Sequence, residues 1–92
     1  MIKSFKDKHT EEFFFGKRIK KWEKINKQAL LKLTRLNAII SLEELVNRPG
    51  NFLHKLKGNR KDQWAITIHG PYRICFYWKN GNAYEVEIVD YH

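Results

Sequence analysis

The sequence predicts an α+β fold in which N-terminal helices pack on a mainly antiparallel β-sheet, and two observations carry that expectation. Before Gly50, apolar residues recur at three- and four-residue spacing, as in helices with one buried face; from Phe52 onward, strand-forming residues alternate with polar ones. Helices first and hairpin-linked strands second is an α+β order. A chain of 92 residues has room for one core, so residues 1–92 are expected to form a single domain. Its 42% hydrophobic and 14% aromatic content is enough to fill that core beside a charged fraction of 30%.

The elements follow in order. Ile2 to Phe5 alternates apolar with polar and reads as a short first strand. Lys8 to Phe15 reads as a short helix that buries Phe13 to Phe15 and stops at Gly16. Trp22, Ile25, Ala29, Leu33, Leu36 and Ile40 form one apolar stripe on a second helix, with Lys24, Lys27, Lys32 and Arg35 on its outer face. Ser41 with Glu44 reads as a capping box opening a helical turn through Val46, which Pro49 and Gly50 end. Trp64, Ile66 and Ile68 alternate as one buried strand face, and Gly70-Pro71 makes a turn. The next strand sets Tyr72, Ile74, Phe76 and Trp78 against Arg73, Cys75 and Tyr77. The last strand is expected to bury Tyr84, Val86 and Ile88. Matching those parities requires an odd loop, taken as Lys79-Asn80-Gly81 with a glycine bulge, and that register sets Arg73 opposite Glu87.

Composition narrows the function. Eighteen Lys plus Arg against ten Asp plus Glu leave a net charge of +8, a field that favours polyanions, nucleic acid first among them. Cys75 is the only cysteine, which rules out an internal disulfide and a cysteine-built zinc site and fits a reducing compartment. The charges at Lys6, Asp7 and Lys8 interrupt any signal-peptide core, and the run Ile74 to Trp78 is far below membrane-spanning length, so a cytoplasmic location is expected. His9, His54, His69 and His92 have no paired spacing, so no metal site and no cofactor is expected. Gly58 and Gly70 stand alone, so no phosphate loop is present, and no Gly-x-Ser-x-Gly motif occurs.

What remains is a polar set on the sheet and at its ends: His54, Lys55, Lys57, Arg60, Lys61, Arg73, Asp90, Tyr91 and His92. RNA is cut without metal when a base deprotonates the 2′-hydroxyl, cations offset the phosphorane charge and an acid protonates the leaving 5′-oxygen. Histidine suits the proton transfers and Lys or Arg the phosphate. Each residue also has a plainer reading. His54 fits a solvated side chain, Arg73 fits an ion pair with Glu87, and Lys55, Lys57, Arg60 and Lys61 fit a charged loop as well as phosphate contacts. Cys75 fits a space-filling role on the sheet, and Trp22 and Trp64 fit the core.

The opening Met1-Ile2-Lys3-Ser4-Phe5, the segments Leu56-Lys57-Gly58-Asn59-Arg60, Trp64-Ala65-Ile66-Thr67-Ile68 and Tyr72-Arg73-Ile74-Cys75-Phe76, and the ending Asp90-Tyr91-His92 together resemble HigB-type toxins of the RelE/ParE (proteic killer) superfamily. The likeness spans the whole chain. It implies a small RelE-like fold and a type II toxin: a ribosome-dependent, metal-independent endoribonuclease that cuts messenger RNA during translation and is neutralised by a HigA-type antitoxin. By the resemblance the functional positions fall on His54, Lys57, Arg73, Asp90, Tyr91 and His92. His92 and His54 are then the proton-transfer candidates, Lys57 and Arg73 hold the scissile phosphate, and Asp90 and Tyr91 orient substrate or base. One departure is His69, which stands where some relatives carry a basic residue. Lys17, Arg18, Lys20, Lys21, Lys24 and Lys27, with Lys55, Arg60 and Lys61, are expected to contact ribosomal or messenger RNA backbone. The free toxin is expected to be a monomer, with aromatic surface near Phe13 to Phe15 available to an antitoxin. Two other readings remain: a ParE-like inhibitor of DNA gyrase, and a non-catalytic RNA- or ribosome-binding module.

Overall fold

In the computed structural model, which describes residues 1–46 and 48–91, three α-helices lie on one face of a four-stranded antiparallel sheet whose strands follow chain order. Helix α1 (Lys8–Phe14) starts at Asp7, whose carboxylate accepts from Thr10 N at 2.7 Å and from Thr10 Oγ1 at 3.0 Å. Thr10 Oγ1 in turn accepts from Ile88 N at 3.2 Å in the buried interior, which ties the helix to the last strand. The helix ends at Gly16, whose φ of 105° suits only glycine. Phe13 is buried, Phe14 half-buried and Phe15 74% exposed, so the expected burial of all three holds for the first alone. Successive helical residues point about 100° apart, so three in a row do not share one face.

A 3₁₀ segment (Lys20–Ile25) leads into α2 (Asn26–Ala38), and Trp22, Ile25, Ala29, Leu33 and Leu36 are buried as the stripe predicts. Ile40 is exposed instead, and Ile39 takes its place. Ile39 has extended backbone (φ −74°, ψ 153°), so the helical period stops at Ala38. Lys32 does not face outward either. Its Nζ donates to Gly50 O at 3.1 Å and Thr67 O at 2.5 Å, fastening α2 to the sheet, and burial together with Arg35 lowers its pKa. The capping box is present: Glu44 accepts from Ser41 N at 3.1 Å, and Ser41 Oγ accepts from Glu43 N at 3.3 Å, opening α3 (Glu43–Val46).

The sheet consists of β1 (His54–Lys55), β2 (Trp64–His69), β3 (Tyr72–Lys79) and β4 (Asn82–Asp90). The expected first strand is reduced to two isolated parallel bridges, Ile2 to Ala83 and Phe5 to Val86, along the outer edge of β4. Between helices and sheet, Leu33, Leu36, Leu45, Ile66, Ile74, Phe76 and Val86 are fully buried. Truncating one of these leucines to Ala would cost about 2–5 kcal/mol. Among the described residues, no helix is long and apolar enough to cross a membrane.

The β3–β4 hairpin departs from expectation in a way that reorganises one face of the sheet. Lys79 pairs with Asn82, so the loop is the two-residue turn Asn80-Gly81 with φ of 51° and 79°, the double left-handed geometry that suits Asn-Gly. The extra residue sits in β4. Pairing steps from Tyr77–Tyr84 to Cys75–Glu87, and Glu85 occupies the bulge at φ 51°. A bulge reverses side-chain parity along its strand, so Ala83, Val86 and Ile88 are buried while Tyr84 leaves the core face. Arg73 consequently lies opposite Val89, and the expected Arg73–Glu87 pairing does not form.

Candidate active site

Directly paired residues on antiparallel strands project to the same face. On the face away from the helices the register therefore lines up His54, Ala65, Cys75 and Glu87 in one row, Thr67, Arg73 and Val89 in the next, and Tyr77 with Tyr84 on the other side of the Cys75 row. Strand spacing and rise put the Cα atoms of His54 and Arg73 about 12 Å apart.

His54 sits on the edge strand β1, exposed, with Nδ1 3.0 Å from Phe52 O. A carbonyl oxygen only accepts, so Nδ1 carries the proton, and in the neutral ring Nε2 presents the lone pair that a base requires. Arg73 donates to Gly70 O and Tyr72 O, which fixes its guanidinium over the β2–β3 turn. Tyr91 is held at the same end by its backbone N–H to Pro71 O at 2.9 Å, and its hydroxyl lies 3.7 Å from the buried Cys75 Sγ. Burial, followed by contact with Cys75, raises the Tyr91 phenol above its ordinary pKa. Tyr91 thus stays protonated at neutral pH and able to donate. Burial raises the Cys75 thiol as well, more than Tyr91, Arg60 and Arg73 lower it, in keeping with a space-filling residue.

At the centre of the face, Arg60 bridges Glu87 and Gln63. One guanidinium nitrogen donates to Glu87 Oε1 and, at 3.0 Å, to Gln63 Oε1. The hydrogen bond to Glu87 raises the Arg60 pKa further above neutrality. Arg60 is therefore fixed against β4 by a carboxylate and does not extend into solvent as a loop cation. Lys57 is exposed and opens the 3₁₀ turn Gly58–Arg60, where Gly58 has φ 66°. Asp90 pairs with Tyr72, one residue out of phase with Arg73 and Tyr91, so by register it belongs to the parity of Ile74 and Ile88. The six expected catalytic positions thus do not share one strand parity. His92 lies outside the described residues.

The basic positions fall in two groups. Lys55 lies 3.8 Å from Asp62 and over the Trp64 ring, with Lys61 exposed nearby. Lys17 pairs with Glu12 at 3.4 Å, Arg18 with Glu23 at 3.0 Å, and Lys21 lies over Trp22. Lys20 is exposed, while Lys24 and Lys27 line a groove with His69. His69 adjoins the Gly70-Pro71 turn that holds Arg73 and Tyr91, but it pairs with Tyr72, whose parity is that of Ile74, so this groove lies on the helix side of the sheet. Gln63 and Tyr84 escaped the sequence reading. Gln63 carried no signal. Tyr84 was recoverable: an Asn-Gly turn fixes Lys79 opposite Asn82, and the clash of that parity with apolar Val86 demands a bulge.

A sequence profile of HigB-like toxins, described as RelE-like toxins of type II toxin-antitoxin systems, matches residues 3–92. The chain belongs to this family. The HigB-like chain is 37% identical over 99 aligned positions to the endoribonuclease HigB of Proteus vulgaris, covering 100% of both chains. It is 32% identical over 85 positions to the toxin HigB-1 of Vibrio cholerae, covering 90% of each. Its fold resembles a solved YoeB-YefM complex from Staphylococcus aureus with a TM-score of 0.58 at 16% identity, covering 100% of this chain and 98% of that one. The α+β, RelE-like architecture expected for HigB-type toxins is the one observed.

Proposed function

We propose that this HigB-like toxin is an endoribonuclease that cuts messenger RNA on the ribosome, using the 2′-hydroxyl as nucleophile and no metal, and that a HigA-type antitoxin neutralises it. The observation that carries the reading is the bulge at Glu85. Together with the two-residue turn it sets Arg73 opposite Val89 and Glu87 opposite Cys75, where Glu87 bonds Arg60, so Arg73 is held by carbonyls on the open face, facing the same side as His54 and Tyr91. A guanidinium so placed neutralises the phosphorane, and Lys57 adds a second cation from the adjacent turn. His54 and His92 serve proton transfer, and Asp90 and Tyr91 orient the substrate or the base. The groove with Lys24 and Lys27 follows ribosomal RNA backbone.

The test uses programmed ribosomes incubated with the protein, with Arg73→Ala and with His92→Ala, followed by primer extension on the messenger. New ends in the decoding site that disappear in both variants are expected. Full cleavage by both variants at unchanged stability refutes the residue roles. Intact messenger with arrested gyrase supercoiling would replace the reading with a ParE-like one, and intact messenger with tight ribosome binding would leave a docking module.

A further inference from the structure

Tyr77 and Tyr84 are cross-strand partners on the open face of the sheet, and together with Lys79 and Asn80 they line one cavity at the hairpin end. Tyr77 is 38% exposed and Tyr84 half-buried. Among the described residues, neither ring stacks on another ring and neither hydroxyl has a hydrogen-bond partner. Tyr84 reaches this face because the two-residue turn Asn80-Gly81 sets Lys79 opposite Asn82 and Tyr77 opposite Tyr84, while the Glu85 bulge, a left-handed non-glycine residue, returns Val86 and Ile88 to the core. Two aromatic side chains bordering a cavity, with no such partner among the described residues, form a slot of the kind in which a planar ring stacks.

The occupant is indicated by charge and by continuity. Lys79 flanks the slot, the chain carries a net charge of +8, and the same face carries Arg73 and His54. Tyr77 lies four positions along β3 from Arg73, about 13 Å of strand, which is the length of about four stacked nucleotides. We propose that Tyr77, Tyr84 and Lys79 form a base-stacking subsite for a nucleotide of the bound RNA remote from the phosphate held at Arg73. The inference rests on the ribonuclease reading of that face. Stacking uses the π-face common to every base, so the subsite positions the strand and discriminates little between sequences.

The test is binding of a short 2′-O-methyl RNA, about six nucleotides long, at about 150 mM salt. Lacking a free 2′-hydroxyl, this probe cannot be cleaved by the proposed route, so failure of the nuclease reading and failure of the subsite are read separately. With 2-aminopurine placed at each position in turn, its fluorescence should be quenched most strongly at one position. Tyr77→Leu and Tyr84→Leu should each weaken binding by between about 5-fold and about 150-fold and abolish that quenching. Tyr77→Phe and Tyr84→Phe keep the ring and should bind within about twofold of wild type, which separates stacking from loss of fold or of a hydroxyl. Unchanged affinity and quenching in the double Leu variant would overturn the inference, as would no measurable binding by the wild type. Retained RNA binding with lost antitoxin binding would also overturn it, because the slot would then be a protein contact. A protein that stacks the probe but cuts no messenger would remove the nuclease reading and leave the subsite standing.

Discussion

Glu87→Gln isolates one ionic contact in the middle of the open face. The glutamine keeps the shape of the side chain and an acceptor oxygen, but it takes the negative charge away from Arg60. The Glu87 side chain is 12% exposed and that of Arg60 32%, so the pair lies between the surface and buried limits. Exposed pairs contribute up to about 1 kcal/mol, whereas removing one partner of a buried pair costs about 3–5 kcal/mol. A loss of about 2 kcal/mol is therefore expected. For a chain of this size that lowers Tm by about 8–16 °C. Arg60→Met, which keeps the aliphatic stem, should cost about as much, and the double variant should cost about 1 kcal/mol less than the sum of the two. Urea unfolding of the four proteins measures this cycle. Because burial shields the pair, raising salt from about 0.05 to 0.5 M should leave most of the difference in place. A Glu87→Gln variant within about 0.5 kcal/mol of wild type would refute the reasoning, since the pair would then behave as a surface contact.

Three further outcomes follow from the geometry. Glu85→Val should destabilise by about 1–2 kcal/mol, because a β-branched residue resists the left-handed backbone, while Glu85→Gly should leave Tm unchanged or raise it; thermal unfolding of both decides. Burial raises the Cys75 thiol above its ordinary value of about 9 and the Tyr91 phenol above about 10, so both groups hold their protons more tightly when folded. Their contribution is complete below those ordinary values and is lost as pH rises past them through the higher folded-state values. Stability should therefore fall above about pH 9, and Cys75→Ala should delay that fall; parallel urea-unfolding profiles would contradict this. Removing Lys24 and Lys27 together should weaken ribosome binding and reduce the slope of log affinity against log salt by about 1–2, and an unchanged slope would exclude the groove from the interface.

Local chemistry made much of the molecule legible in the sequence. The stripe from Trp22 to Leu36, the capping box of Ser41 and Glu44, the Gly16 stop and the alternation of Trp64 to Ile68 are patterns whose physical cause lies within a few residues, so they survived in the fold. The residue inventory for a phosphate-handling face was equally plain. Tertiary structure alone decided how that inventory is arranged. One extra residue at Glu85 is a local event with a non-local effect, because strand parity propagates: after a turn that places Tyr84 opposite Tyr77, it returns Val86 and Ile88 to the core and sets Arg73 opposite Val89. The partner that Glu87 then acquires, Arg60, arrives from a loop twenty-seven residues away. Lys32 turns inward because the carbonyls of Gly50 and Thr67 happen to lie beneath it. Periodicity fixes which face a residue occupies on its own element. Which element it meets across the sheet depends on register, and register is set by the whole set of packed contacts.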